Sequence, residues 1–232
     1  MFNEYLFKIV CLGSPFSNKT KILRGYVEGK FDTNYLPTLG VDITTKRIRI
    51  DNNQIKLIIV DTAGQEFFGK LRPSYFRGAS GALIFFDHKN RTTFESQVTP
   101  QQIPKKMKKS SSFWQKVIKK LRVIFHRLFP KEELLNVKTN NVVPERIEPN
   151  NHPPSVIIQF YHEFKKYIPD STIPIGLIGI QDGPDSFQVS LEEAQDLAYQ
   201  LGIDYFALRS SKSRDLERIL IDLIHQGLRI RE

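Results

Sequence analysis

Residues 61–66 read Asp61-Thr62-Ala63-Gly64-Gln65-Glu66, and this hexapeptide is more informative than any other part of the chain. It follows the apolar, β-branched run from Ile55 to Val60, which is typical of a buried strand. An Asp that leaves such a strand can hold a magnesium ion, a Gly can bring its N–H close to a phosphate, and a Gln can orient an attacking water. The first four residues alone could be an ordinary strand exit. The whole hexapeptide predicts a nucleoside triphosphate site.

A second motif follows the first predicted strand, Tyr5 to Leu12. The run Gly13-Ser14-Pro15-Phe16-Ser17-Asn18-Lys19-Thr20 fits the phosphate-loop pattern G-x-x-x-x-G-K-[ST] at every defined position but one. In such a loop, backbone N–H groups surround the β-phosphate, the Lys spans the β- and γ-phosphates, and the hydroxyl coordinates magnesium. Asn18 replaces the second glycine, and Asn adopts positive φ more readily than most residues. We therefore predict that residues 13–20 bind nucleotide, although Pro15 and Phe16 add bulk and Pro15 removes one donor.

Helical and strand patterns alternate along the chain. We predict helices at Lys19–Glu28, Val156–Tyr167, Leu191–Leu201 and Asp215–Leu228, and further strands at Ile43–Ile50, Ile55–Val60, Gly81–Asp87, Ile175–Gly179 and Tyr205–Leu208. A turn at residues 51–53 joins the one antiparallel pair. The pattern predicts an α/β fold with a mostly parallel six-stranded sheet, one antiparallel edge strand and helices on both faces.

Three further stretches, Phe31–Asp42, Leu71–Ala79 and Gln188–Ala194, accompany the two motifs. Together they resemble the Rab-type small GTPases of the Ras superfamily, and the resemblance covers most of the chain. It implies a P-loop NTPase G-domain that binds GTP or GDP and slowly hydrolyses GTP. It also implies that Thr20, Thr38 and Asp61 hold Mg²⁺, and that Gln65 is the catalytic residue.

The resemblance assigns further roles around the nucleotide. Thr38 would be the switch threonine that closes over magnesium and the γ-phosphate, and the Gly64 amide would sense that phosphate. Phe31 would lie at the edge of the guanine, and Ser210, Ser211 and Lys212 would form the last base-contacting loop. Without the resemblance, Thr38 could be a strand-entry residue, Phe31 a core aromatic and residues 210–212 a polar turn. Effector, exchange and activating proteins would bind near Thr38 and Gln65.

The base-recognition element departs from the family pattern. Where the family has Asn-Lys-x-Asp, this chain reads Gly179-Ile180-Gln181-Asp182. Asp182 keeps the carboxylate that accepts from the guanine ring, but the Asn and the Lys are absent, so we expect weaker preference for guanine. The alternative function is that of a non-hydrolysing pseudo-GTPase adaptor. Gln65 argues against it, since a scaffold has no chemical reason to keep that residue.

Residues 97–155 interrupt the pattern, so we predict a G-domain made of residues 1–96 and 156–232. This insertion carries 12 Lys and Arg against 4 Asp and Glu, which is +8 of the chain's net charge of +9. It contains an expected amphipathic helix, 113–129, followed by an Asn- and Pro-rich stretch that we expect to be a mobile tether.

The predicted helix places Trp114, Ile118 and Phe125 on one face and Lys116, Lys119 and Lys120 on the other. With the four lysines at 105–109, this pattern is typical of a helix that lies on an anionic membrane or in a partner's groove. Packing against the chain's own G-domain is the second interpretation. Nucleic acid is the least favoured partner.

Targeting features agree with a cytoplasmic, peripherally attached protein. The single cysteine, Cys11, lies in the first predicted strand, as expected in a reducing compartment. We find no signal-peptide pattern and no apolar stretch of membrane-spanning length. The given sequence ends Leu228-Arg229-Ile230-Arg231-Glu232 without a cysteine, so we expect membrane attachment without C-terminal prenylation.

Overall fold

The computed structural model describes residues 3–29, 38, 40–64, 69, 71–95, 155–183, 186–209 and 213–229. In these ranges the strands are β1 Asn3–Gly13, β2 Val41–Ile50, β3 Asn53–Thr62, β4 Gly81–Asp87, β5 Ile175–Ile180 and β6 Asp204–Leu208. The helices are α1 Lys19–Glu28, α2 Arg72–Phe76, α3 Val156–Tyr167, α4 Leu191–Leu201 and α5 Ser213–Arg229, with one 3₁₀ turn at Arg91–Thr93.

The six strands form one sheet in the order β2-β3-β1-β4-β5-β6. Every neighbouring pair is parallel except β2 and β3, whose register begins at Val41 opposite Thr62. The predicted mixed sheet with an antiparallel edge strand is therefore confirmed. Because the five parallel strands all end at the same edge, the loops that follow β1, β3, β4, β5 and β6 meet there, which is where ligands collect in open α/β sheets.

Two hydrophobic layers cover the sheet. On one face, α1 and α5 pack Ile22, Leu23, Leu220 and Leu223 onto the strands. On the other face, α2, α3 and α4 do so with residues that include Phe76, Phe160, Phe164, Ala194 and Leu197. All seven residues of the central strand β4 are buried, whereas the edge strand β2 alternates between exposed and less exposed positions. Burial on both faces explains why β4 is an unbroken apolar run.

The sequence predicts most element bounds to within two residues, and the differences have physical causes. Helix α2 was not predicted, because five residues are too few to show a helical period. The strand β5 continues through Ile180, one residue beyond the predicted end. That residue pairs with both Asp87 and Leu208, and pairing on both sides extends the strand. The antiparallel turn is made by Asp51 and Asn52, with positive φ at Asp51.

The residues that directly precede and follow 96–154 are in contact with each other. Glu95 and Ser155 form an antiparallel bridge, Val156 N–H donates to the Phe94 carbonyl at 3.0 Å, and Ser155 Oγ donates to the same carbonyl at 2.7 Å. Ser155 also caps α3 by accepting from Ile157 N–H, which explains why the helix begins at Val156 as predicted. The predicted amphipathic helix and tether lie outside the described residues. The proposed domain division therefore stays a prediction.

Candidate nucleotide site

The predicted phosphate loop, residues 13–20, connects β1 to α1 at the carboxyl edge of the sheet. Gly13 lies so close to β4 that a Cβ there would be 2.6 Å from the Phe85 carbonyl oxygen, so no side chain fits. Ser14 and Ser17 are buried, and a hydrogen bond from Ser17 N–H to the Ser14 carbonyl closes the loop at 3.3 Å. The loop is thus folded tightly against the end of β4.

Two non-glycine residues of this loop have left-handed backbone conformations. Asn18 has φ 58° and ψ 7°, which is the conformation for which the sequence suggested an Asn. Phe16 has φ 65° and was expected only to add bulk; a large residue with positive φ is a conformational outlier. Its side chain is 61% exposed, while Pro15 beside it is half-buried. Strained backbone of this kind tends to occur at functional sites.

Lys19 and Asp61 form a buried ion pair at the centre of the site. Lys19 Nζ donates to Asp61 Oδ1 and to the Thr62 carbonyl oxygen, the latter at 2.7 Å. Both charged residues are only 4% exposed. A buried charge is tolerated only when it is paired and hydrogen-bonded, and each of these two groups provides that pairing for the other. The ion pair joins the phosphate loop to the end of β3.

One hydroxyl group contacts the same carboxylate, and a second hydroxyl group contacts the first. Thr20 Oγ1 donates to Asp61 Oδ2 at 2.6 Å and lies 2.7 Å from Thr38 Oγ1. The structure therefore brings together all three residues that the sequence predicted as magnesium ligands. Oxygen donors with one carboxylate suit Mg²⁺, which commonly takes one or two carboxylates and completes its coordination with phosphates and water. These residues fit the ion.

Gly64 lies directly against the phosphate loop. A Cβ at this position would lie 2.6 Å from the Ser14 carbonyl carbon and 2.8 Å from the Pro15 nitrogen, and nearer still to the Gly13 carbonyl oxygen. All three are backbone atoms, so they cannot rotate out of the way. Only a glycine can bring its backbone this close to the loop. The role of its amide stays a prediction.

One base-recognition residue lies differently from the sequence expectation. Gly179 belongs to β5 as predicted, but Ile180 also belongs to this strand and is fully buried in the core beneath α1 and α5. A Cβ on Gly179 would lie 2.6 Å from the Tyr205 hydroxyl and closer to His88 Nε2. The space that a side chain at 179 would need is filled by these two residues. The loop begins at Gln181, and Asp182 follows it at the sheet edge.

His88, which is buried, and Tyr205, which is half-buried, form a hydrogen-bonded pair beside this loop that no local motif indicated. His88 Nδ1 lies 2.7 Å from the Val189 carbonyl oxygen, so that nitrogen donates; Nε2 then accepts from the Tyr205 hydroxyl at 2.7 Å. Burial lowers the pKa of His88, against the opposing effects of the Val189 carbonyl, Asp87 and Glu193. Burial also raises the pKa of Tyr205 to about 12.

A further polar residue at the site, Asp87, was also missed. It is the last residue of β4 and is 8% exposed, and its Oδ2 accepts from Asn18 Nδ2 at 2.8 Å. A polar residue that ends a buried strand was the available signal, and its partner, 69 positions away, could not be read from the sequence.

Arg72 connects the 61–64 segment to α3. Its guanidinium group binds the Glu163 carboxylate through Nε and Nη2, at 3.1 and 2.9 Å, and Nη1 donates to the Ala63 carbonyl at 3.4 Å. Bidentate pairing of this kind fixes direction as well as distance. The residue before Gly64 is thus attached to a helix in the core.

The remaining predicted site residues, Phe31, Gln65, Ser210, Ser211 and Lys212, lie outside the described residues, as does the segment 105–129. Within the described ranges, no helix is long and apolar enough to cross a membrane, and no three residues of the types His, Cys, Asp and Glu cluster as a metal site.

Comparison with known proteins agrees with this geometry. The model of the Ras family matches residues 8–119. The chain is 44% identical over 93 residues to Ras-related protein RABA5e of Arabidopsis thaliana, covering 40% of this chain and 43% of that protein. It is 39% identical over 92 residues to Ras-related protein Rab-1 of Theileria annulata, covering 40% and 42%. It is 38% identical over 93 residues to Ras-related protein Rab-8B of Bos taurus, covering 40% and 45%. The chain thus spans less than half the length of these curated relatives.

Proposed function

We propose that the chain is a Rab-like member of the Ras superfamily and acts as a switch that binds GTP and GDP with magnesium and hydrolyses GTP slowly. The observation that carries the proposal is the convergence of Lys19, Thr20, Thr38 and Asp61 at one point of the sheet edge. These residues come from three separate parts of the chain. A structural ion pair alone would not need the Thr20 hydroxyl on the same carboxylate with the Thr38 hydroxyl beside it.

Each of these residues has a distinct part in binding. Lys19 neutralises charge on the β- and γ-phosphates, and its burial strengthens that interaction because solvent screens it less. Thr20 and Thr38 offer hydroxyl oxygens to magnesium, with Asp61 behind them. When bound, the ion neutralises charge that develops on the transferring phosphoryl group.

Hydrolysis is proposed to depend on Gln65, which orients the attacking water. The sequence has no arginine from residue 61 to residue 71, so the segment that carries Gln65 offers none to stabilise the transition state. An arginine supplied by a partner protein typically raises the rate by about 10³–10⁵-fold. Because the segment lacks such an arginine, the intrinsic hydrolysis of GTP is slow. A partner that binds near Thr38 and Gln65 accelerates it.

We propose reduced selectivity for guanine. The family's Asn and Lys are replaced by a glycine with no room for a side chain and by a core isoleucine, so only Asp182 remains to accept from the base. A site without its hydrogen-bonding groups discriminates poorly between bases.

The test of binding is to identify the nucleotide that copurifies with the chain and then to titrate the nucleotide-free protein with GDP, ADP and XDP in magnesium. We expect GDP to bind most tightly, with a smaller margin over ADP than a protein with an intact Asn-Lys-x-Asp element shows. Failure of all three to bind would reject the proposal and favour the alternative, a pseudo-GTPase adaptor.

The test of chemistry compares Lys19→Ala with Gln65→Leu, using Lys21→Ala as a control that removes a lysine outside the ion pair. Lys19→Ala should weaken binding of GDP and GTP alike, because it removes charge that acts on the bound ground state. Gln65→Leu should slow single-turnover hydrolysis of bound GTP and leave binding nearly unchanged. Equal turnover in wild type and Gln65→Leu would remove Gln65 from the mechanism.

We further propose peripheral attachment to anionic membranes through residues 105–129, in membrane-associated signalling or trafficking. The support is the pattern of apolar and basic residues in this segment, where each basic residue contributes about 1 kcal/mol near an anionic surface. Co-sedimentation with phosphatidylserine vesicles should fall with salt and when Trp114 and Phe125 are changed to Asp. Equal sedimentation with neutral vesicles, unchanged by deleting 105–129, would assign the segment to packing or to a protein partner.

A further inference from the structure

Asn18 has an unusual conformation for a residue directly before a helix. An Asn in this position commonly has an extended backbone, and its side-chain oxygen accepts from the first turn of the helix. Here the backbone is left-handed, at φ 58° and ψ 7°, and the side chain makes no capping hydrogen bond to α1. The conformation is unfavourable for a residue that has a Cβ, so a contact elsewhere has to stabilise it.

That contact is with Asp87. Asn18 Nδ2 donates to Asp87 Oδ2 at 2.8 Å, and Asp87 Oδ1 accepts from Lys89 N–H at 2.9 Å. The backbone of Asp87 is fixed as well, because its N–H donates to Thr93 Oγ1 and its carbonyl accepts from Asn90 N–H, both at 2.9 Å. The carboxylate is therefore an oriented acceptor, held by the turn that follows β4.

The position of Asn18 determines how the chain enters α1. The next residue, Lys19, reaches Asp61 and the Thr62 carbonyl, and Thr20 reaches Asp61 and Thr38. If residue 18 left the left-handed region, the direction of the chain at Lys19 would change, and both side chains would lose these positions. A glycine would adopt the same conformation without support.

We propose that Asp87 is a positioning residue of the nucleotide site: by accepting from Asn18 Nδ2 it holds Asn18 left-handed and so allows the phosphate loop to function without its second glycine. This inference rests on the proposed nucleotide binding. It explains why a nearly buried carboxylate stands beside a loop that binds anions. Its negative charge is compensated by the Asn18 amide and the Lys89 N–H.

The test is a double-mutant cycle of four full-length proteins: wild type, Asp87→Ala, Asn18→Gly and the double variant. Affinity for GDP with magnesium should fall about tenfold or more in Asp87→Ala, the usual effect of losing a hydrogen bond to a charged group. Asn18→Gly provides the second background, because a glycine at residue 18 restores the phosphate-loop pattern and adopts the left-handed conformation without support. In the glycine background, Asp87→Ala should change the affinity less than about twofold, since glycine needs no support.

Asp87→Asn separates the hydrogen bond from the charge. Its amide oxygen can still accept from Asn18, so it should retain most of the affinity that Asp87→Ala loses. If Asp87→Asn is as weak as Asp87→Ala, or if Asp87→Ala weakens binding equally in the two backgrounds, the positioning role is overturned. Equal affinity of wild type and Asp87→Ala overturns it as well.

Melting temperatures of the same four proteins without nucleotide measure the coupling between Asn18 and Asp87 independently of any ligand. Asp87→Ala should lower the melting temperature more in the Asn18 background than in the glycine background, and equal shifts contradict the inference. If the wild type binds no nucleotide, the role of Asp87 in the nucleotide site is rejected together with the proposed function. If the wild type binds nucleotide but the effects of Asn18→Gly and Asp87→Ala are additive, only the positioning role of Asp87 is rejected.

Discussion

Gly64→Ala tests whether the closeness of the 61–64 segment to the phosphate loop is required for chemistry. The added methyl carbon would lie 2.6 Å from the Ser14 carbonyl carbon, whereas ordinary van der Waals contact begins near 3.4 Å. The two backbones must therefore separate by roughly 0.8 Å or more, because atoms closer than contact distance repel steeply. A misplacement of about 1 Å in a catalytic arrangement can cost about 10²-fold in rate.

We expect single-turnover hydrolysis of bound GTP to slow by about 10²-fold in Gly64→Ala. Affinity for GDP should change little, because Lys19 and the loop amides still bind the β-phosphate. Gly29→Ala is the matched control: nothing lies within 4 Å of its added methyl group, and its φ of +69° gives the variant only a general cost in stability of about 1 kcal/mol. Wild-type hydrolysis by Gly64→Ala, with GDP affinity also unchanged, would refute the reasoning.

Two further predictions concern the hydrogen-bonded pair beside the base loop. Gly179→Ala should lower the free energy of unfolding, measured by urea denaturation, by about 1–3 kcal/mol, because its methyl group overlaps His88 and Tyr205. Gly202→Ala is the control: its methyl group would lie in open space, and the substitution should cost about 1 kcal/mol or less. Equal losses of unfolding free energy in Gly179→Ala and Gly202→Ala would show that His88 and Tyr205 can move to make room for the methyl group. The free energy of unfolding should also fall as the pH drops from about 7 to 5: burial lowers the pKa of His88 in the folded state, so the unfolded chain takes up a proton first. His88→Gln should flatten this slope. An unchanged slope in His88→Gln would contradict the assignment.

The meeting of the predicted phosphate loop with Thr38 and Asp61 was predictable because its signals are local. A motif states which residue types stand at which spacing, and the parallel sheet then brings the strand ends together, as it does for Thr20 and Asp61. The left-handed backbone at Asn18 was predictable for the same reason: the requirement belongs to one position, and Asn is a residue that meets it.

The residues that were missed depend on partners far away in the chain. From the sequence alone, a glycine at residue 179 indicates only that a hydrogen-bonding side chain is missing. The structure shows that a side chain there would overlap the His88 ring and the Tyr205 hydroxyl, which are hydrogen-bonded to each other. Similarly, α2 is held by Arg72 binding Glu163, 91 positions later, a contact that no local pattern reveals. Tertiary packing of this kind overrides what a short window of sequence can indicate.

The bridge between Glu95 and Ser155 has a consequence for how this domain accommodates extra sequence. Once that pair has formed, the entropic cost of connecting its two ends through the intervening residues grows only with the logarithm of the number of those residues. Shortening 59 intervening residues to about seven would recover only about 2 kcal/mol of loop-closure entropy. The position is therefore a tolerant insertion point, because changing the number of intervening residues several-fold changes the loop-closure term by only about 2 kcal/mol.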